Sequence, residues 1–167
     1  MTPQSLCMGC MADKGNVRVC GECGWREGTP AESPLQLAPR TVLNERYLLG
    51  RVLGQGGFGI TYLAWDLTLN CKLAVKEYYP ANFCMRGTDV LTVRPLTERT
   101  RELFEYGLKK FVEEGQALAR FRDHPGIVSV FDFLRANGTA YIVMAYLDGV
   151  SFKQYLQDHG ERIPFQR

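Results

Sequence analysis

Four cysteines near the start of the chain have the spacing of a metal site. Cys7 and Cys10 form one Cys-x-x-Cys pair, and Cys20 and Cys23 form a second pair after nine intervening residues. Each pair brings two thiolates to one tight turn, and two such turns can close a tetrahedron around Zn²⁺. A disulfide, disfavoured in a reducing compartment, and a redox dithiol are the alternatives. The spacing favours zinc bound by all four cysteines, which leaves no coordination position for catalysis.

A glycine-rich segment is the second feature that could do chemistry. In "LGQGGFGITYLAW", which begins at Leu53, four glycines fall within six residues. Glycine lowers the stability of a strand or turn unless the backbone must bend sharply or approach another group closely. The flanking stretches, 46–54 and 59–67, are rich in aliphatic, aromatic and β-branched residues. The segment therefore predicts a strand, a glycine-rich turn and a strand, and it raises the question of a bound nucleotide.

A lysine on the next predicted strand needs a negatively charged partner. The stretch "CKLAVKEYY", from Cys71, is typical of a strand, and alternation places Ala74 and Lys76 on the same inward face. Because burying an unpaired ammonium group is costly, Lys76 requires a carboxylate, a phosphate or both. The sequence "DVLTVRPL", from Asp89, could add a strand pair or an edge hairpin after this strand.

The carboxylate can come from a helix predicted over about residues 100–121. Its apolar stripe at helical spacing consists of Phe104, Leu108, Phe111, Gly115 and Leu118. Glu114 lies beside this stripe, where it could reach Lys76, whereas Glu113 points towards solvent. Two adjacent glutamates are otherwise a solvated charge pair, and the helix taken alone does not separate these interpretations.

The elements that must position these residues form two modules and a connection. Residues 1–28 are predicted to be a zinc ribbon that depends on its metal, because so short a segment cannot build a sufficient hydrophobic core. Residues 29–45 contain most of "REGTPAESPLQLAP", whose three prolines predict an extended, mobile linker. Because the linker is expected to be flexible, removal of the metal by a chelator should leave the second module folded.

Composition and charge restrict the class of protein. Hydrophobic residues make up 46% and charged residues 23%, as in ordinary globular domains. The net charge is +2, and residues 1–28 hold three basic and three acidic residues, so no nucleic-acid partner is predicted. The longest apolar run, 140–147, is too short to span a bilayer, and the N-terminus lacks a secretory pattern. We predict a cytoplasmic protein with no membrane segment in this chain.

Five motifs follow the linker in a fixed order. They are Gly54-x-Gly56-x-x-Gly59, "LAVK" ending at Lys76, Glu114 in "FVEEGQALARF", "HPGIV" from His124 and "YIVMAYLDG" from Tyr141. Together they resemble the small lobe of bacterial serine/threonine protein kinases of eukaryotic type. A lone GxGxxG is a weak signal, but no helix follows this one, which argues against a Rossmann site.

The resemblance implies an α+β fold. Residues 46–148 would form a protein-kinase-like small lobe with its hinge, an antiparallel sheet plus one long helix, preceded by the zinc ribbon. Residues 149–167 would begin a large lobe that is otherwise absent from these 167 residues.

The resemblance also implies site residues and cofactors. The glycine-rich loop would cover the phosphates of ATP, and Lys76, positioned by Glu114, would contact the α- and β-phosphates. Lys76 and Glu114 are thus the implied catalytic residues. The implied nucleotide-binding residues are Leu53, Gly54, Gln55, Gly56, Gly57, Phe58, Gly59, Thr61, Ala74, Lys76, Met144, Ala145 and Leu147. Thr61 and Ala145 depart from the family pattern, which has valine and glutamate there, but the hinge binds adenine through its backbone.

Kinase chemistry needs further residues that the chain does not contain. The family uses an aspartate to orient the attacking hydroxyl, and an asparagine and the aspartate of a DFG motif to hold Mg²⁺. No HRD-type or DFG segment occurs in the sequence. We therefore expect the ATP-binding portion of a kinase that phosphorylates protein serine and threonine, inactive as this truncated chain. A nucleotide-sensing pseudokinase and a zinc-ribbon interaction module are the alternatives.

Overall fold

The computed structural model describes residues 2–121, 124–150, 152–158 and 160, with the side chains of 152–154 left aside. Of the 19 residues predicted to begin a large lobe, 149–167, nine therefore lie outside the described residues. In chain order the strands are β1 (Val42–Leu43), β2 (Tyr47–Gly56), β3 (Gly59–Asp66), β4 (Cys71–Tyr78), β5 (Cys84–Arg86), β6 (Val93–Pro95), β7 (Val130–Ala136) and β8 (Thr139–Ala145). The α-helices are α1 (Glu98–Ala119) and α2 (Phe152–Asp158), and a 3₁₀ turn covers Pro3–Ser5.

Six of the strands form one antiparallel sheet in the order β1-β2-β3-β4-β8-β7, and β5 and β6 pair separately. This sheet with one long helix is the fold that the sequence predicted. The strand–glycine–strand prediction is confirmed, because β2 and β3 meet at Gly56 and Gly59. The additional strand pair is also present, although the partner of β6 is Cys84–Arg86, upstream of the segment that suggested it.

Helix α1 begins at a capping box in which the Thr97 side chain accepts a hydrogen bond from the Thr100 backbone N–H. Its buried face consists of Phe104, Phe111, Val112 and Gly115. The Tyr78 ring lies 5.3 Å from that of Phe104 and 5.5 Å from that of Phe111, so β4 and α1 pack through aromatic contacts. None of the helices among the described residues is long and apolar enough to cross a membrane.

The ribbon contains two isolated bridges among the residues that the structure describes. Leu6 pairs with Asp13 across the first cysteine turn, and Val19 pairs with Arg26 across the second. The stretch 16–20 thus contributes a single bridge residue, Val19, immediately before Cys20.

The prediction of an extended, mobile linker is wrong for residues 35–43. Leu37 is 2% exposed in the main core, and its N–H donates to the Tyr62 hydroxyl at 3.0 Å. Val42 and Leu43 form β1 on the edge of the sheet, and Arg40 binds the carboxylate of Glu27 in the ribbon. The prolines limit regular secondary structure, but the apolar side chains between them, Leu35 and Leu37, still pack into the main core of the lobe.

The strand pair β5–β6 provides half of a buried ion pair. The Glu77 side chain is fully buried, and Arg86 donates to its two oxygens at 3.0 and 2.9 Å. The hydroxyls of Tyr62 and Tyr141 donate to the same carboxylate at 2.8 and 3.3 Å. Burial, reinforced by the Glu77 charge, raises the pKa of both tyrosines. The group therefore joins β3, β4, β5 and β8 in a fully hydrogen-bonded polar cluster.

Candidate functional site

Lys76 and Glu114 meet in the structure. The Lys76 Nζ donates to Glu114 Oε1 at 3.5 Å, and it also lies 5.6 Å from the centre of the Phe111 ring. Glu113 instead accepts from Lys110 at 2.7 Å on the solvent side of α1. The two side chains of the inner pair are 34% and 55% exposed, so the lysine is less buried than its inward position suggested. The helix phase thus distinguishes two adjacent glutamates.

The sheet register aligns the other predicted nucleotide-binding residues with this pair. Gly54 on β2 lies opposite Thr61 on β3, which lies opposite Lys76 on β4. Two residues before Lys76 on the same strand, Ala74 lies opposite Met144 on β8. Directly opposed residues of antiparallel strands point to the same face. One face of the sheet therefore carries these side chains in adjoining rows.

The glycines of the β2–β3 turn serve two different purposes. A Cβ on Gly59 would lie 2.3 Å from the Glu77 carbonyl oxygen, so the sheet itself requires glycine there. At Gly54, Gly56 and Gly57 a Cβ would meet no atom of the described residues within 4 Å, and none of them has a positive φ. No described residue of the lobe requires glycine at those three positions, which is the pattern expected where the backbone must approach a ligand.

The remaining predicted residues lie at the edges of this face. Phe58 at the tip of the turn is 76% exposed, and Leu147 after β8 is 72% exposed. The Ala145 N–H donates to the Ser129 carbonyl at 2.9 Å, so this residue would present its carbonyl rather than its N–H to a base. Leu53 packs partly buried against the apolar cluster that the ribbon shares with the sheet.

A cavity of about 400 Å³ opens on the helix side of Lys76. Lys76, Glu114 and Phe58 line it together with apolar side chains of β4, the following loop and α1. The adenine-side residues Ala74 and Met144 are not part of its lining. The sequence analysis did not identify three residues of this lining, namely Leu103, Tyr106 and Lys110. They precede Glu114 at intervals of three or four residues, so the helical period of α1 could have identified them.

The four cysteines form the second site. The Sγ atoms of Cys7 and Cys23 lie 3.5 Å apart, those of Cys10 and Cys20 lie 3.8 Å apart, and all four fall within 4.8 Å of one another. Zinc–sulfur bonds of about 2.3 Å in a tetrahedron require sulfur separations of about 3.8 Å, whereas a disulfide requires about 2.05 Å. The donor set therefore fits Zn²⁺ and does not fit disulfides.

The thiol groups of the cluster differ in their surroundings. Hydrogen bonds from the backbone N–H groups of Cys23 and Glu22 lower the pKa of the Cys20 thiol to about 7. Burial raises the pKa of the Cys7 thiol to about 12, and a metal ion would have to displace the thiol proton to bind this sulfur. A Cβ on Gly9 would lie 2.6 Å from the Trp25 Cβ, which explains glycine inside the first turn.

Comparisons with known proteins agree with this geometry. The family model of protein tyrosine and serine/threonine kinases matches residues 48–167. Serine/threonine-protein kinase B of Synechocystis is 28% identical over 147 residues, which are 87% of this chain and 20% of that protein. Serine/threonine-protein kinase PknB of Mycobacterium tuberculosis is 32% identical over 126 residues, which are 73% of this chain and 17% of that protein.

Among solved structures, the apo form of PpkA-294 matches with a TM-score of 0.72 and 34% sequence identity. The match covers 76% of this chain and 44% of that one. The chain spans about a fifth of the length of the two curated relatives. The match to the Synechocystis protein is longer than residues 48–167, so it must include part of the segment before Leu48.

Proposed function

The chain belongs to the protein tyrosine and serine/threonine kinase family, and on that premise we propose that residues 46–148 are the ATP-binding small lobe of a serine/threonine protein kinase. The complete enzyme would transfer the γ-phosphoryl group of ATP to protein hydroxyl groups. The observation that carries this proposal is the Lys76–Glu114 contact beside a turn whose three open glycines serve no packing purpose. The bacterial relatives named as serine/threonine kinases support the choice of substrate hydroxyl.

Each part of the face takes one task in this proposal. The backbone around Gly54, Gly56 and Gly57 covers the phosphates, and Lys76, held by Glu114, neutralises their charge. Ala74, Thr61 and Leu53 line the adenine side, while Met144 closes its back and the hinge backbone at Ala145 and Leu147 contacts the base edge. The ligands for Mg²⁺ are assigned to residues beyond those of this chain.

The intact Lys76–Glu114 pair favours an active kinase over a nucleotide-sensing pseudokinase. A protein that only senses nucleotide does not need the geometry that positions a phosphoryl group for transfer. The interaction-module alternative is less favoured, because it does not explain the open glycines of the β2–β3 turn.

We expect the isolated 167-residue chain to bind ATP weakly and to transfer no phosphate. Without Mg²⁺ ligands the triphosphate charge is poorly neutralised, and adenine would be covered on one side only. Calorimetry with ATP and Mg²⁺, together with transfer of labelled γ-phosphate to a generic protein substrate, measures both properties. Tight magnesium-dependent binding, or transfer that Lys76→Met abolishes, would contradict this expectation.

We further propose that the cysteine cluster holds a structural zinc ion. The purified chain should contain about one Zn²⁺, since four thiolates complete its tetrahedral shell. Elemental analysis should find the metal in wild type and lose it in a Cys20→Ser, Cys23→Ser double variant. The matched control is Cys71→Ser, whose thiol lies on β4 outside the cluster. Equal metal content in wild type and double variant would overturn the assignment.

The cytoplasm is the compartment we propose for this chain. All six cysteines are free thiols in the structure, as a reducing environment requires, and ATP is abundant there. The balanced charge of residues 1–28 supports a protein-facing ribbon rather than one that binds nucleic acid.

A further inference from the structure

The ribbon and the kinase lobe share one apolar core. Leu6, Met8 and Met11 of the ribbon are each no more than 2% exposed. They form a single buried cluster with side chains of β2 and β3, namely Leu48, Leu63 and Trp65. The ribbon is therefore packed into the lobe, and its burial is that of a domain interior rather than of a tethered neighbour.

This shared core lies on the nucleotide face of the sheet. Leu63 and Trp65 alternate along β3 with Thr61, so the three side chains point to the same side. On the neighbouring strand β4, Ala74 lies opposite Leu63 and Lys72 lies opposite Trp65. The ribbon thus covers one end of the face whose other end carries Lys76.

The core reaches both walls of the proposed adenine pocket. Leu53, at the start of the glycine-rich turn, and Tyr146, in the hinge, pack against it as partly buried side chains, as does Trp25 of the ribbon. The Lys72 ammonium lies 5.1 Å above the Tyr146 ring. Ribbon, sheet and hinge also enclose a cleft of about 480 Å³ whose lining includes Trp25, Lys72 and Tyr146.

Backbone contacts hold the ribbon in register with β2. The Arg51 N–H donates to the Met8 carbonyl, and its Nε donates to the Gly9 carbonyl, both at 2.8 Å. Gly50 lies directly beneath this contact, where a Cβ would be 2.4 Å from the Met8 carbonyl oxygen and 2.6 Å from the Met11 Cε. Only glycine allows β2 and the first cysteine turn to approach so closely.

We propose that the zinc-loaded ribbon positions the adenine-side wall of the nucleotide site, by holding Leu53 and Tyr146 through the core that Met8 and Met11 share with Leu48, Leu63 and Trp65. This inference rests on the proposed function, since it assigns a task to the metal site within the ATP-binding lobe. The metal is needed because Met8 and Met11 lie within or next to the Cys7–Cys10 turn. Zinc–thiolate bonds would fix that short turn in addition to its own backbone hydrogen bond, which the Met11 N–H donates to the Cys7 carbonyl at 2.8 Å.

Two variants separate docking from metal binding. Gly50→Ala places a methyl group against the Met8 carbonyl and should displace the ribbon while all four cysteines remain. The Cys20→Ser, Cys23→Ser variant removes the metal instead. Gly21→Ala is the matched control, because a Cβ there meets no described atom within 4 Å and the residue has no positive φ.

The 167-residue chain is measured in two ways. Hydrogen exchange followed by mass spectrometry should show faster exchange in peptides containing Leu53 and Tyr146 for both variants, with β7 unchanged. Titration with a fluorescent ATP analogue, extended to high concentration because binding is weak, should show affinity lowered by at least about fivefold in both. Gly50→Ala should retain its zinc, and Gly21→Ala should match wild type in every measurement.

Several results would overturn the proposal. Unchanged exchange at Leu53 and Tyr146 in both variants would show that the ribbon is only attached to the lobe. An effect of Gly50→Ala without an effect of the cysteine changes would refute the role of the metal. If wild type binds no nucleotide, the proposed function fails, and the exchange data still decide whether the ribbon positions this wall.

Discussion

Lys76→Met should lower phosphoryl transfer at least about a hundredfold in a protein in which the large lobe of a kinase completes this chain, since removing one preorganised charge from a transition state has effects of that size. The reason is that Lys76, which lies 3.5 Å from Glu114, is the cation that we propose contacts the phosphates. Methionine preserves the length and packing of the side chain but provides no charge. Transfer of labelled phosphate measures the rate, and thermal unfolding confirms that the fold is retained.

The adjacent glutamates supply an internal control for this result. Glu114→Gln should lower the rate because the lysine loses its charged partner, whereas Glu113→Gln breaks only a solvent-side contact with Lys110. Equal loss of activity from the two glutamine variants would mean that Glu114 is not the residue that positions Lys76.

Arg86→Met should destabilise the lobe by about 3–5 kcal/mol, the usual result of leaving one charge of a buried ion pair without its partner. Glu77 is fully buried, and Arg86 supplies two of its hydrogen bonds, so methionine leaves the carboxylate with tyrosine hydroxyls alone. Urea unfolding followed by circular dichroism measures the free energy of unfolding.

A surface ion pair gives the matched comparison. Arg101 donates to Glu98 in the first turn of α1, but both side chains are at least half exposed. Arg101→Met should therefore change the stability little, because water screens the exposed pair. Adding Glu77→Gln to Arg86→Met should recover part of the loss, since the buried charge is then removed. A loss for Arg86→Met no larger than that for Arg101→Met would contradict the proposed role of the buried pair.

Much of the candidate site was predictable because its signals are local. The cysteine spacing depends on two tight turns, and the sulfurs of Cys7 and Cys23 meet at 3.5 Å as that spacing requires. The alternation of side chains along a strand placed Lys76 on the inward face of β4. The helical period placed Glu114 beside the apolar face of α1 and Glu113 on its solvent side. Each of these patterns has a period set by backbone geometry, so it can be detected without knowledge of the remaining chain.

Other features have no such period. Arg86 follows a loop, and nothing near it in the sequence indicates that it pairs with Glu77 inside the lobe. Leu37 lies among prolines typical of a linker, yet it is buried beneath Tyr62. A segment with few apolar residues can still pack against the rest of the protein when an apolar surface lies next to it. The composition of the segment does not reveal that surface.

The sequence by itself determined the cluster of four cysteines, the glycine-rich turn between two strands, and the lysine–glutamate pair, because each depends on spacing within one or two elements. Only the tertiary structure decided that the ribbon belongs to the lobe. Met8 and Met11 are ordinary apolar residues in sequence, and their partners Leu48 and Trp65 lie far along the chain. Periodicity indicates which face of an element is apolar, but which other surface covers it depends on the path of the whole chain. Here that path brings the ribbon onto the sheet face that carries Lys76.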